Sequence, residues 1–222
     1  MIFNYIIQCR MSSKRFPGKV LATFLKKPLL DHVVQQIKKT NIQSTIVLAT
    51  STDNSDNPLV SHAKELGLKI VRGSLNNVVE RYALALDRYS CDAFFRVCGD
   101  SPLLLPHLFN QAALIYKNKP YDIVTNLFPR TFPAGMSVEL IQTKTFLEIR
   151  KNIIDDSEKE HLSKHFYNNF DKFKIHNIEC NLTGYQNLQL AIDEYGDLER
   201  IESWLLAKKD KIENLFPIKF SK

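Results

Sequence analysis

The sequence predicts an α/β fold: one domain over 1–222, built as a mostly parallel central sheet with helices on both faces. Three observations carry that reading. Strand-like apolar runs alternate with amphipathic helical stretches through the first 120 residues, and such alternation gives parallel strands joined by helical crossovers. Proline and glycine fall at the boundaries of these stretches, where they open or stop helices. A chain of 222 residues, 44% apolar and 24% charged, can bury a sizeable core and lacks the composition of a disordered segment.

Residues 3–9 are a β-branched and aromatic run suited to a buried central strand. A polar, basic loop follows and closes at Phe16-Pro17-Gly18. Pro28 opens a helix whose apolar positions Leu29, Val33 and Ile37 recur at helical spacing. The next strand covers 45–50, a helix over 58–66 stops at Gly67, and 68–71 is a short strand. Over 76–89 the positions Val78, Tyr82, Ala85 and Tyr89 mark an amphipathic helix. A strand at 93–98 and a helix beginning at Pro106 complete the alternating part.

After 121–125 the rhythm changes. Residues 126–133 are a proline- and aromatic-bearing loop, 137–142 a strand, and 143–151 and 155–170 helices. Leu188, Leu190 and Ile192 alternate as a strand, and Leu198, Ile201 and Leu205 stripe a last helix. The segment 126–185 is therefore an elaboration within the domain. Its aromatics (Phe128, Phe132, Phe146, Phe166, Tyr167, Phe170, Phe173) exceed what one added layer needs to bury, which predicts a homodimer built on it.

Several classes are excluded. No apolar run approaches the roughly 18–20 residues that a membrane-spanning helix needs, so no membrane insertion is expected. The amino terminus lacks a basic leader and cleavage site and reads as a strand, which predicts a cytoplasmic protein. Four cysteines at spacings of 82, 7 and 82 form no Cys-x-x-Cys pair, and so neither a zinc pattern nor a disulfide framework. His161 and His165 stand at i and i+4, but no glutamate follows the first and no third zinc ligand is evident.

The net charge of +6 is uneven: Arg10, Lys14, Arg15, Lys19, Lys26 and Lys27 crowd the stretch 10–27, which holds no acid. A second cluster is Lys208, Lys209 and Lys211. A nucleic-acid binder usually spreads basic and aromatic residues across a broad face, whereas these early cations share one short loop. A small, highly charged anion fits better, and no nucleic-acid partner is expected.

Four constellations carry chemistry. Gln8-Cys9-Arg10-Met11-Ser12-Ser13-Lys14-Arg15-Phe16-Pro17-Gly18-Lys19 follows the first strand, at the edge where open α/β sheets bind ligands. Its cations and the hydroxyls of Ser12 and Ser13 are what a triphosphate needs; on composition alone it reads equally as a solvated basic loop. No Gly-x-x-x-x-Gly-Lys-Ser/Thr occurs and the seven glycines nowhere form Gly-x-Gly, which excludes P-loop and dinucleotide fingerprints. Arg96-Val97-Cys98-Gly99-Asp100-Ser101-Pro102 ends a strand in a carboxylate, and Leu190-Ala191-Ile192-Asp193 does the same. Asp100 and Asp193 either converge on Mg²⁺ or serve as turn and cap residues. Arg72-Gly73-Ser74, Asn76-Asn77 and Arg81 add cations and amides able to read a base edge or ribose.

These residues, in this order, resemble the cytidylyltransferases of the spore-coat-polysaccharide type, relatives of CMP-Kdo and CMP-sialate synthetases. Gln8 to Lys19 is similar to the family's Q-A-R-x-x-S-x-R-L-P-G-K except at Cys9 and Phe16. Arg72-Gly73-Ser74 with Val78 to Tyr82 resembles a second block, Arg96 to Leu103 a third, and Phe132 to Glu139 a fourth. Glu160-His161 and Asp193 to Glu199 follow. Asn77, Ala134 and Glu194 depart from the family's usual acid, aspartate and threonine.

The resemblance implies a nucleotide-diphospho-sugar-transferase-like sandwich that transfers CMP from CTP to an acidic sugar for surface polysaccharide, with Mg²⁺ as cofactor. Gln8, Arg10, Ser12, Ser13, Arg15, Lys19, Arg72, Gly73, Asn77 and Arg81 would bind the nucleotide. Arg10, Lys19 and Asp100 would act in catalysis, and Asp100 and Asp193 would hold the metal. Arg130, Glu139 and His161 would take the acceptor. Two rivals stand beside this: a glycosyltransferase using a nucleotide-sugar on the same fold, which typically shows Asp-x-Asp where this chain has Gly99-Asp100-Ser101-Pro102, and a non-catalytic basic module for nucleic acid.

Overall fold

In chain order the first elements are β1 (Phe3–Gln8), β2 (Thr23–Phe24), β3 (Lys27–Pro28), α1 (Leu29–Lys38), β4 (Ser44–Ser51) and α2 (Asn57–Glu65). Next come β5 (Lys69–Gly73), α3 (Val78–Arg88), β6 (Ala93–Cys98), α4 (Pro106–Asn118) and β7 (Ile123–Thr125). The remainder are β8 (Glu139–Gln142), α5 (Thr143–Ile149), α6 (Asp156–Glu160), α7 (Lys164–Asn168), β9 (Ile175–Asn177) and α8 (Tyr195–Ala207). The computed structural model describes residues 1–180, 185 and 187–207. The basic cluster Lys208, Lys209 and Lys211 lies outside them.

Seven strands form one sheet in the order β5-β4-β1-β6-β8-β7-β9. β8 alone runs antiparallel to its neighbours; all other pairings are parallel. Because strand side chains alternate, β1 feeds two cores. Phe3, Tyr5 and Ile7 join Phe95, Val97 and the apolar faces of α1, α4 and α8 on one side. Ile6 joins Val47, Ala49, Phe94 and α3 on the other. Tyr5 stacks on Phe95 at 4.7 Å, and Phe109 of α4 meets both rings edge-on at 5.5 and 5.2 Å. The chain leaves β1 towards β4 and β5 and then returns to the far side of β1 as β6. The topological switch point therefore lies at the carboxyl ends of β1 and β6, where this architecture opens a ligand crevice.

Five features differ from the sequence reading. The expected strand over 188–192 joins no ladder: it meets Ala134 through a single bridge at Gln189, with Ala134 N–H donating to the Leu188 carbonyl and Leu190 N–H to that of Ala134. Gly135, at φ 95°, permits the contact, since a Cβ there would lie 2.5 Å from the Ala191 nitrogen. The expected helix over 155–170 breaks into α6 and α7 at His161, which has the non-helical dihedrals φ −123°, ψ 72°. Glu158 clasps His165 (2.7 Å) and Asn168 (2.8 Å) across the break, and Leu162 is buried there.

The β2–β3 hairpin and β9 have no counterpart in the sequence reading. The hairpin turns through Leu25 and Lys26, both at positive φ, and these are not turn-signal residues. The Leu25 N–H donates to Glu202 of α8 at 2.6 Å, so a tertiary contact holds the turn. Finally, the aromatics of 126–185 are spent largely inside the chain. Phe132, Phe146 and Phe166 are buried, and Phe128 stacks on Tyr167 at 5.1 Å. Among these aromatics only Phe170 is a large exposed apolar side chain, so their number no longer argues for a partner.

Candidate active site at the carboxyl ends of β1 and β6

Gln8 and Cys98 are register partners, and the Gly99 N–H donates to the Gln8 carbonyl at 3.1 Å, so two loops start side by side. Gly99 must be glycine here: a Cβ would sit 2.7 Å from that of Cys9. The loop after β1 is closed by Gly18 N–H donating to the Met11 carbonyl at 2.8 Å, with Gly18 in the left-handed region at φ 74°. The turn that follows, over Lys19–Leu21, sends the Lys19 side chain back under the loop, where it is buried.

Between these loops, α3, α6 and the segment before α8 lies a cleft of about 800 Å³. Gln8, Arg10, Ser13, Arg15, Lys19, Arg81, Asp100, His161 and Asp193, all expected from the sequence, line it. The Lys19 ammonium donates to Asp100 Oδ2 (2.6 Å), Asp193 Oδ1 (3.3 Å) and the Ile192 carbonyl (3.1 Å). Arg15 also reaches Asp193 Oδ1 at 2.9 Å. Arg10 donates to Glu160 of α6 at 3.1 Å and to the Leu75 carbonyl at 2.9 Å. Arg81 is buried and donates to the carbonyls of Ser74 (2.6 Å) and Leu75 (3.1 Å).

Six expected site residues do not line the cleft. Ser12 is exposed on the loop. Arg72 clamps the turn after β4, donating to the carbonyls of Ser51 and Asp53 and to Asn57 Oδ1. Gly73 makes room for α3, since a Cβ would meet Leu84 at 2.9 Å and Arg81 at 3.1 Å. Asn77 caps α3 by accepting from the Glu80 N–H at 3.0 Å, while its neighbour Asn76 faces the cleft. Arg130 is exposed on its loop. Glu139 is fully buried, paired with Arg96 and accepting from the Tyr167 hydroxyl at 2.8 Å, so it stands behind Arg96, which does line the cleft.

Sequence reasoning missed Arg96, Asp156 and Glu160 as site residues; Arg96 and Glu160 stood inside quoted blocks, but nothing in their spacing set them apart. It also missed Asp56. This buried carboxylate accepts from the Met11 N–H (2.7 Å), the Thr50 hydroxyl (2.7 Å), and the Ser51 N–H and hydroxyl, tying the loop after β1 to the end of β4. The thiols beside the site are poor nucleophiles. Burial pushes Cys98 up to about 11 and raises Cys9 further, so both stay neutral.

Two carboxylates and a backbone carbonyl converging on one cation are a hard, oxygen-rich set that suits Mg²⁺. Among the described residues no group of three or more His, Cys, Asp or Glu side chains is placed to hold a metal. A metal at Asp100 and Asp193 would therefore share its coordination with ligand oxygens, as Mg²⁺ does in phosphate-binding sites.

A mostly parallel sheet with a cation-rich loop and two aspartates beside a cleft at its switch point places the chain among α/β proteins with a charged crevice at that edge. Residues 4–219 match the cytidylyltransferase family model, and the chain belongs to that family. A solved cytidylyltransferase from Leptospira borgpetersenii serovar Hardjo-bovis superposes with a TM-score of 0.89 at 27% identity, over 96% of this chain and 90% of that one. The spore coat polysaccharide biosynthesis protein SpsF of Bacillus subtilis is 26% identical over 207 residues, 90% of this chain and 84% of its own. CMP:2-keto-3-deoxy-manno-octonic acid synthetase, solved with CTP, shares the fold with a TM-score of 0.71 at 13% identity, over 93% of this chain and 99% of that one.

Asp56 generates a test. Burial raises its pKa, but the Met11, Ser51 and Thr50 donors outweigh that and hold the carboxyl below its ordinary value. A group depressed in the folded state adds stability above its unfolded pKa, about 3.9, and loses it as pH falls through the folded value. Asp56→Asn should cost about 1–3 kcal/mol near neutral pH. Between about pH 6 and pH 3 the unmodified protein should lose more unfolding free energy than the variant, read by urea denaturation. Equal losses would remove Asp56 from this role.

Proposed function

We propose that the chain transfers CMP from CTP to a hydroxyl of an acidic sugar destined for a surface polysaccharide, releasing pyrophosphate. The observation that carries this reading is the convergence of Arg10, Arg15 and Lys19 with Asp100 and Asp193 in one cleft at the switch point. Family membership supports the cytidylyl donor. The names of SpsF and of the CTP-bound synthetase support polysaccharide and sugar-acid chemistry. A glycosyltransferase role is not favoured by the family match, and a nucleic-acid module leaves the Lys19–Asp100–Asp193 group without a purpose.

On this reading Arg10, Arg15 and Lys19 exchange their carboxylate partners for triphosphate oxygens, with Ser13, Arg81 and Asn76 completing the nucleotide's surroundings. Asp100 and Asp193 would hold Mg²⁺, which when bound neutralises phosphate charge. The acceptor enters past α6, where His161, in an acceptor-binding segment over 126–185, and Arg96 of β6 face the cleft. Its hydroxyl oxygen attacks the α-phosphorus in line as the bond to the bridging β-phosphate oxygen breaks; the hydroxyl proton passes to water. Positioning and charge stabilisation by fixed cations supply the acceleration, with no covalent enzyme intermediate. CTP as donor and four free thiols suit a cytoplasmic setting, and no helix among the described residues is long and apolar enough to cross a membrane.

Offering each common nucleoside triphosphate against a panel of acid and neutral sugars, with products read by mass spectrometry, tests the assignment. CMP-sugar acids are the expected products. Product from ATP or GTP but not CTP overturns the donor, and product from neutral sugars alone overturns the acceptor.

Asp100→Asn and Asp193→Asn should fold normally and lose roughly 10²-fold or more in turnover. The second loss should cost much less once the first is made, because the two act as a unit. Full activity in either single variant would reduce both to turn residues. A homodimer through 126–185 now rests on the exposed Ile154 and Phe170. Light scattering at about tens of micromolar should give twice the monomer mass, and a monomer mass discards it.

A further inference from the structure

An ammonium has three N–H donors, and all three of Lys19's are used by protein oxygens: Asp100 Oδ2, Asp193 Oδ1 and the Ile192 carbonyl. Its side chain is only 11% exposed, so water does little to screen these contacts. In this state Lys19 has no donor left for a phosphate. It also fills the space between the two carboxylates that a divalent cation would need.

The carboxylates do not depend on Lys19 to stay together. The Ile192 N–H donates to the Asp100 carbonyl at 3.0 Å, joining the two segments through the backbone. Asp193 is fixed from its other side, its N–H donating to Asp197 Oδ2 at 2.8 Å and its Oδ2 accepting from Gln189 at 3.2 Å. Without the ammonium, the pair would still face the same point in space.

We propose that Lys19 is the stand-in cation of the nucleotide-free protein: it closes Asp100 and Asp193 to divalent metal, and a triphosphate opens the pair by drawing the ammonium to its own oxygens. This rests on the assignment of those aspartates to the metal. Metal affinity is then conditional on nucleotide, which keeps the site from loading a metal ion without a triphosphate. By linkage, CTP and metal raise one another's affinity by the same factor, and Lys19 sets part of that factor. Lys19 acts here as a positioning residue, separately from any contact it makes with phosphate.

Mn²⁺ serves as the probe, followed by the electron paramagnetic resonance of the free ion in titrations of the full chain. Without nucleotide, the unmodified protein should bind Mn²⁺ weakly, and Lys19→Met and Lys19→Gln should bind it roughly tenfold or more tightly. Adding Asp100→Asn to Lys19→Met should abolish the gain. The gain should also appear as a rise in unfolding temperature with Mn²⁺ in the Lys19 variants and not in the unmodified protein. Equal nucleotide-free affinity in the unmodified protein and both Lys19 variants overturns the inference while leaving the metal assignment standing. The assignment is read separately with CTP present: Mn²⁺ binding there that is indifferent to Asp100→Asn and Asp193→Asn overturns both.

Discussion

The parallel pairing of β1 with β6 is the constraint on which the site depends. Six residue pairs in register, from Phe3 opposite Ala93 to Gln8 opposite Cys98, bring two loops that are distant in sequence to a common edge. The pairing is held from beneath by the Tyr5, Phe95 and Phe109 rings, all fully buried. Burying an aromatic side chain is worth roughly 1.5–3 kcal/mol, as much as a charge-assisted contact at the cleft supplies, and three such rings act together. A slip of one residue would turn Tyr5 and Ile7 to the opposite core and move Lys19 away from Asp100, so core packing fixes the spacing of the charges.

The charges of the cleft are mutually satisfied, but not equally strongly. Arg15, 60% exposed, gains little from Asp193 because water screens the pair. Arg10 with Glu160 is intermediate, both ends reaching solvent. Lys19 is largely desolvated, and removing one partner from such a group leaves an uncompensated charge, so its contacts dominate. The cations of the cleft are therefore graded: Arg15 and Arg10 are held weakly by their partners, whereas Lys19 is held tightly. Glu160 couples the loop after β1 to α6, so two walls of the cleft share an ion pair.

The residues outside the cleft show that one sequence block can hold both cleft-lining side chains and their supports. Arg72, Gly73 and Asn77 stand in one sequence block, yet one clamps a turn, one makes room for a helix and one caps it. Arg81 and Asn76, close by in sequence, do reach the cleft. Glu139 likewise acts through Arg96. A string of residue types identifies the place in the fold; only side-chain direction separates a contact from its support.

The alternation of strand and helix, the switch-point loop and the terminal aspartates of two apolar runs were legible from the sequence because each rests on local patterning. Periodicity reports which face is buried, and a carboxylate after a strand reports the edge of the sheet. The break at His161, the turn through Leu25 and Lys26, and the failure of 188–192 to join the sheet were not legible. Each is set by a contact that periodicity does not report: Glu158 clasping His165 across the break, Glu202 on α8, and Gly135 admitting the backbone of Leu190 and Ala191. Asp56 belongs with them, since four donors from two segments converge on it and no spacing announces that. The sequence by itself determined the alternating strands β1, β4, β5 and β6, their helices and the edge where charge collects. Tertiary structure alone decided which charges meet, because an ion pair between Lys19 and Asp193 is fixed by the packing of strands and not by the chain between them.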